Sequence, residues 1–574
     1  MDEKNGTRSR QSAHTTKKIA VTERGGRRRG QSNRTVTSSK PSVGADRIAL
    51  DEPSALACAV REIAIERGVH NFDKKRHIAD LVESEFKSRG EFYRTYDDLL
   101  YFLPNSERQL VELGRQEFAD LLADISGLSQ TEIPFGLVLD RLRLLARRAL
   151  RRKVHTLSYY DQTTGMLAVS DGGTGMWIRE RGGHWQRSLN GENGIVFRTD
   201  PDADPWEPEF LSNPDSGELT HLNRFMEQFP FVSYNDVSAD CQRALLLMNL
   251  LQRFFPPLAR TNLIPTFLGP PGSGKSTAQR LLGRLLVGLR FELSDLNVER
   301  HDGFVAAITN RLVHGVDNID AMVRWFQDDV ARYATGTSFT KRRPYSLNDP
   351  VSHSPTAWLT LSSCNPYFTR SDIADRLLPL RLGRWEDFWP EDAIFGELER
   401  RRNAIMGDVL LELGRIQDCL AKTSHIVDKF RMADFASFMQ RAHIDSIVAR
   451  GRLESLRRLQ VDFATDCDDF IETLRLLVEC NRPDGIPFTP VGELYRQCVE
   501  IAKLAHLRIP ATLQGFGQRL SNQKFNIESR LDVKFTELRG HSNQRKVELK
   551  LNASARKTWP PSPVVKLVKR VMPD

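Results

Sequence analysis

Leu263-Ile264-Pro265-Thr266-Phe267-Leu268 runs into Gly269-Pro270-Pro271-Gly272-Ser273-Gly274-Lys275-Ser276-Thr277, and this junction decides how the rest of the chain is read. An apolar run that suits a buried strand meets a glycine-rich loop. Thr277–Val287 then carries Leu281, Leu282, Leu285 and Leu286 at helical spacing. Strand, loop and helix in that order form the context of a phosphate-binding loop. The glycines let backbone N–H groups turn inward on phosphates, and the helix N-terminus adds partial positive charge. Lys275 is placed to reach the β- and γ-phosphates, and the Ser276 hydroxyl to sit on Mg²⁺. Gly269–Thr277 therefore reads as a nucleoside triphosphate site, with ATP and Mg²⁺ as the expected ligands.

Phosphoryl transfer needs a second acid on the magnesium side. The apolar run after Arg311 ends in Asp317, 42 residues beyond Lys275, which makes Asp317 the expected second metal ligand. The next residue, Asn318, stands where an acid would polarise water, and an amide cannot take a proton. Asp320 substitutes if the turn brings it round. A further strand, Thr356–Asn365, ends in an amide that can orient the attacking water and sense the γ-phosphate. Arg376, and after it Arg370, are the arginines expected to reach across a subunit boundary and stabilise transition-state charge. The alternative is a structural Arg376 paired with Asp372 or Asp375.

Between these strands lies Ala334-Thr-Gly-Thr-Ser-Phe-Thr-Lys341-Arg342-Arg343-Pro-Tyr345. The order GPPGSGKS, an Asp-Asn pair, ATGTSFTKRRPY, a strand ending in CNP, and DIADRLLPLRL resembles the superfamily 3 helicase ATPases. It is most similar to helicase domains of phage and plasmid primase-helicases and to ATP-binding proteins of bacterial mobile elements. The resemblance covers Leu263 to Trp385, about a fifth of the chain. It implies an AAA+-like α/β module that assembles into a ring such as a hexamer, with a DNA-gripping hairpin before the third strand. Lys341, Arg342 and Arg343 would then be the pore residues. Asn318 departs from the family's acid, and no primase site is recognisable.

Around this core the composition shifts. Residues 1–47 hold 12 Lys+Arg against 4 Asp+Glu, and the rest of the chain is balanced at 70 against 70. That segment, poor in apolar residues, is expected to be disordered, either holding nucleic acid through Arg24–Gly30 or serving as a solvated tail. Residues 48–153 read as mainly helical. The last helix there is studded with Arg141, Arg143, Arg147, Arg148, Arg151 and Arg152, a run that reads either as a nucleic-acid face or as a solvated one. Residues 154–217 change to period two, a small antiparallel sheet followed by Asp200, Asp202 and Asp204 in an acidic linker. The ATPase core spans 218–390 as alternating strands and helices, and 391–480 is a helical lid or connector. Asn481–Pro487 breaks the pattern.

Residues 487–551 read as a winged helix, followed by a tail at 552–574. Val491–Leu507 forms one helix. Thr512 caps a second whose Leu513, Phe516 and Leu520 face inward and whose Gln514, Gln518, Arg519 and Asn522 face outward, residue types that read bases or phosphates. A hairpin with a basic tip, Arg539–Lys546 and including Arg545, completes it. A protein-docking winged helix is the alternative.

The fold expected is thus an α/β P-loop NTPase core with an α+β N-terminal region and a C-terminal winged helix. No apolar run is long enough to span a bilayer, and no apolar signal core begins the chain. Seven scattered cysteines without a CxxC pair suit a reducing cytoplasm. The expected activity is an ATP-dependent helicase or translocase on single-stranded or forked DNA, working as a homo-oligomer in mobile-element replication. The alternatives are an AAA+ remodelling or antiphage-defence NTPase without unwinding, and a slow nucleotide-switched DNA-binding initiator or regulator.

Overall fold

Where hydrophobic spacing first becomes periodic, Ser54 accepts the Ala57 amide and opens α1 (Ala55–Ile65). The computed structural model describes residues 54–200, 202–212, 219–296, 301–320, 323–342, 350–364, 371–385, 389–423, 430–443, 445–466, 468–481, 484–505, 507–539 and 545–552. Helix α2 (Asn71–Arg89) leads into three strands, β1 (Gly90–Arg94), β2 (Leu100–Pro104) and β3 (Val111–Glu112). Helices α3 (Gln116–Ser126) and α4 (Ile133–Arg148) close a core with Phe86, Phe102, Phe118 and Leu142. Helices make up most of this region, and the small sheet is an addition that the helical reading did not include. Phe92 and Phe102 face each other across the antiparallel pair with centroids 4.8 Å apart, and such cross-strand aromatic pairs favour extended backbone. Three of the six arginines of α4 and its exit are held in ion pairs: Arg141 with Asp80 and Glu83, Arg143 with Asp140 and Arg151 with Asp98.

The period-two region holds β4 (Val154–His155), β5 (Ser158–Tyr160), β6 (Leu167–Ser170), β7 (Gly175–Arg179), β8 (Gln186–Leu189) and β9 (Val196–Phe197). β5 to β8 form an antiparallel sheet in sequence order, while β4 and β9 pair in parallel. The acidic stretch after it is no loose linker. Asp200 accepts the Leu312 amide at 3.0 Å and Asp204 the Leu289 amide at 2.8 Å, so these carboxylates hold backbone groups of the next module.

That module begins with α5 (Thr220–Glu227), α6 (Ala239–Gln252) and a 3-10 turn at Pro256–Leu258. It continues through β10 (Ile264–Leu268), α7 (Lys275–Leu286), β11 (Ser294–Asp295), α8 (His301–Asn310), β12 (Val313–Asp317) and α9 (Arg324–Ala334). Then come the ribbon β13 (Phe339–Arg342) and β14 (Pro350–His353), β15 (Trp358–Ser363), α10 (Ser371–Ala374) and β16 (Leu377–Arg381). Five strands make a parallel sheet in the order β11-β12-β15-β10-β16. β10 and β15 are buried along their whole length because both faces of the sheet are covered. Phe267 joins Leu281 and Leu285 of α7 on one side, and Ile264 and Leu268 join Ile308 and Val330 on the other.

Helix α11 (Glu391–Lys422) runs 32 residues and packs against α5 and α7. Its Arg402, 9% exposed, donates to the carbonyls of Leu285 and Asp204 at 3.0 and 2.8 Å, satisfying the end of α7 where orphan carbonyls and the helix dipole favour a cation. Helices α12 (Ala433–Ala442), α13 (Ser446–Asp466) and α14 (Asp469–Cys480) follow.

The last part contains β17 (Gly485–Pro490), α15 (Val491–Leu504), α16 (Leu513–Asn522), α17 (Lys524–Leu531), β18 (Val533–Arg539) and β19 (Arg545–Leu551). Its antiparallel sheet has the order β17-β19-β18. Phe470 and Leu474 of α14 share one core with Leu494, Phe516, Leu520 and Leu549, so this core starts before the break at Asn481. Phe516 and Leu520 are buried as expected, but Leu513 is exposed at the first turn of α16, and α17 is an unexpected helix.

Candidate functional site

At the C-terminal edge of the parallel sheet, β10 ends and the chain turns through Gly269–Gly274 into α7. Gly272 and Gly274 have φ of 77° and 74°, the left-handed region that costs glycine nothing. A Cβ on Gly274 would also lie 2.5 Å from the Trp385 indole nitrogen, and one on Gly269 2.6 Å from the Leu382 carbonyl. The loop is therefore drawn tight against the exit of β16. Pro270, Pro271 and Gly272 are exposed, Ser273 is buried, and Lys275, Ser276 and Thr277 are half-buried. The Lys275 ammonium donates to the Gly269 and Pro270 carbonyls at 2.9 and 3.0 Å, which holds the charge over the loop.

Across the intervening strand β15, Asp317 ends β12. The Ser276 hydroxyl donates to Asp317 Oδ2 at 2.7 Å, and the Ser362 hydroxyl donates to Oδ1. The Asn318 backbone N–H donates to Asp317 Oδ1 at 3.1 Å, fixing the carboxylate from a third side. A hydroxyl and a carboxylate so close form an all-oxygen donor set that suits a hard divalent cation. Behind them Gln279, fully buried on α7, donates to Thr360 Oγ1 at 3.1 Å and to the Val316 carbonyl at 3.3 Å. It clamps the helix to both neighbouring strands.

Asn318 is exposed with φ of 56°, a conformation that Asn tolerates better than most residues. Asp320 takes the Ser363 hydroxyl and the Cys364 amide at 2.5 and 2.9 Å, so it braces the end of β15. β15 itself lies between β12 and β10, the position expected for a strand that senses nucleotide. Asn365 and Arg370 lie outside the described residues.

Arg376 sits at the other edge of the sheet. Leu377 pairs with Ile264 at the start of β10, whereas the loop follows Leu268 at its end. Its side chain, 11% exposed, donates to the Ala331 carbonyl at 2.9 Å and pairs with Asp372 at 3.4 Å. This is the Asp372 pairing weighed as the alternative to an inter-subunit arginine.

Lys341 and Arg342 lie on the ribbon, opposite Val351 and Pro350. Their side chains, and Arg343, fall outside the described residues. On α16, Gln514 and Gln518 are exposed. Arg519 pairs with Asp468 at 2.8 Å and lies over the Phe470 ring, and Arg545 donates to the Gly517 carbonyl at 2.9 Å and pairs with Glu537. Those two arginines brace their own domain. Ser362 and Gln279 were not among the residues expected here; their only signal in the sequence is polarity inside otherwise apolar segments.

Residues 234–466 match the model of the actinomycete integrative conjugative element replication protein. The match runs from just before α6 to the end of α13 and contains the whole parallel sheet. The chain is also remotely similar to solved structures. The apo NrS-1 C-terminal region shares 11% identity over 82% of this chain and 98% of that one, with a TM-score of 0.38. Cch of SCCmec type IV, described as an active helicase, shares 12% over 81% and 92%, with a TM-score of 0.43. A full-length MCM homolog from Methanopyrus kandleri shares 10% over 53% and 74%, with a TM-score of 0.24. No curated protein sequence matches the chain. Among the described residues no helix is long and apolar enough to cross a membrane.

Proposed function

We propose that this chain is a cytoplasmic, Mg²⁺-dependent ATPase that assembles on DNA and translocates along it or unwinds it during replication of a mobile element. The observation that carries the reading is the 2.7 Å contact between the loop hydroxyl Ser276 and the strand-end carboxylate Asp317. Ser276 and Asp317 would hold Mg²⁺, which when bound neutralises charge on the β- and γ-phosphates. Lys275 would move from the loop carbonyls to those phosphates, and the amides of Gly272–Ser276 would cradle them. Ser362 and the Asn318 backbone N–H keep Asp317 aimed, so little reorganisation is needed when nucleotide arrives. Asn365 is the residue we assign to orienting the attacking water. The match of residues 234–466 to an integrative-element replication protein supports the mobile-element setting.

We read the ribbon that carries Lys341 and Arg342 as the DNA-gripping hairpin of a ring. We read α14 to β19 as a winged helix that presents Gln514 and Gln518 to DNA. The basic segment 1–47 adds sequence-independent affinity. ATP turnover and displacement of a strand from forked DNA, compared between wild type and Lys275→Ala, test the proposal.

Asn318 favours a second reading. With an amide beside Asp317 and Asp320 tied to β15, hydrolysis would be slow, and the chain would act as a nucleotide-switched DNA-binding initiator. Turnover that is slow and indifferent to DNA would select it.

A further inference from the structure

At the edge of the sheet opposite Lys275 lies a cleft of about 340 Å³. Leu312 and Trp358, which begin the β12 and β15 stretches, line its floor. One wall is β4 and β5, and another is the turn after α6. The third is made by the roots of the ribbon, Gly336 ahead of β13 and Ser354–Thr356 behind β14.

The lining is one-sided in charge. Among the described residues that line it, Lys153, Arg253 and Arg260 contribute and no Asp or Glu does, although the chain beyond residue 47 is balanced in acids and bases. Lys153 and Arg260 are exposed and have no ion-pair partner among the described residues. Arg253 is set deeper. It donates to Asn262 Oδ1 at 2.5 Å and to the Leu263 carbonyl at 3.1 Å, so among the described residues only neutral oxygens answer its charge and its Nε has no partner. Asn262 in turn donates to the carbonyls of Ala334 and Tyr333 at 2.8 and 3.0 Å, tying Arg253 to the end of α9, from which the ribbon departs. Ser158, 2% exposed, also lines the cleft, and its hydroxyl has no hydrogen-bond partner among the described residues. Buried polar groups are nearly always satisfied, so an unpartnered hydroxyl in the same cleft as a guanidinium answered only by neutral oxygens marks a place for an acceptor-rich ligand.

We propose that this cleft binds the phosphodiester backbone of the DNA strand engaged by the ribbon, which makes the period-two region a second DNA contact. The inference rests on the DNA-acting function proposed above. Continuity favours nucleic acid over an acidic protein: a strand lying along the ribbon meets the cleft at the ribbon's own roots. Lys153 and Arg260 would take the outer phosphate oxygens, and Arg253 with Ser158 the inner ones.

The test is fluorescence anisotropy of the full chain with a labelled oligo-dT strand across a salt series. Lys153→Ala/Arg260→Ala should bind more weakly, with the log–log salt slope flattened by about 1.4, roughly 0.7 for each of the two single-strand phosphates left without a cation. Lys153→Arg/Arg260→Lys should restore the wild-type slope, since only charge is required. If Lys153→Ala/Arg260→Ala keeps wild-type affinity and slope while Lys341→Ala/Arg342→Ala/Arg343→Ala loses both, the cleft contact is overturned and the DNA-acting function stands. An acidic protein partner would then be the better occupant. If wild type binds no DNA at any salt, the DNA-acting function itself fails and the cleft contact falls with it.

Discussion

Ser276 and Asp317, 41 residues apart in sequence, meet with Oγ donating to Oδ2 at 2.7 Å, and Ser362 holds the other carboxylate oxygen. A chance glycine-rich turn has no reason to deliver a hydroxyl to the end of a parallel strand beyond its immediate neighbour. The strand order β12-β15-β10 makes this possible, because α7 crosses from β10 over β15 toward β12.

Lys275→Ala should abolish ATP turnover, and Ser276→Ala should lower it by a factor on the order of 10² or more. Both variants should keep the wild-type circular dichroism spectrum, because neither side chain belongs to the apolar cores. Wild-type turnover by purified Lys275→Ala protein would place the nucleotide elsewhere.

Asn318→Asp should leave turnover unchanged or raise it. The position is exposed and left-handed, which Asp accepts almost as readily as Asn, so the fold is not taxed. The variant supplies an acid that can polarise water beside Asp317. A clear drop in steady-state rate would mean that the amide itself is used.

Arg376→Ala should lower the melting temperature, because Asp372 and the Ala331 carbonyl lose a largely buried partner. Mixing it with Lys275→Ala protein should restore no turnover. Recovery in the mixture would show that Arg376 does complete a neighbour's site.

His314 on β12 is 4% exposed, with its ring tilted against that of Phe304, and burial together with Arg311 pushes its pKa down to about 4. The unfolded chain takes this proton near pH 6.5, so it binds more protons than the folded one between about pH 6.5 and pH 4. Stability is therefore lost as the pH falls through that window. His314→Gln should remove about 2 kcal/mol of the loss seen between pH 7 and pH 5 in urea unfolding. Equal acid sensitivity in both proteins would mean that His314 titrates normally.

The parallel sheet was legible because β10, β12, β15 and β16 are short, mostly apolar runs, the first ending at the glycine-rich loop and the others at polar residues. The loop was legible because its glycines and Lys275 are local in sequence. Gln279 and Ser362 were not, since their partners lie 81 and 45 residues away and are recognised only when the strands are neighbours. β1 to β3 were hidden by the helices around them, although Phe92 and Phe102 held the cross-strand signal. Arg519 and Arg545 read as nucleic-acid contacts because sequence cannot show that Asp468 and Glu537 stand beside them.

Strand displacement on forked DNA, run beside ATP turnover with and without DNA, bears most directly on an ATP-driven DNA motor. Wild type should displace the strand only with ATP and Mg²⁺, DNA should raise its turnover, and Lys275→Ala should do neither. Wild-type protein that hydrolyses ATP at a rate indifferent to DNA and leaves the fork intact would contradict it.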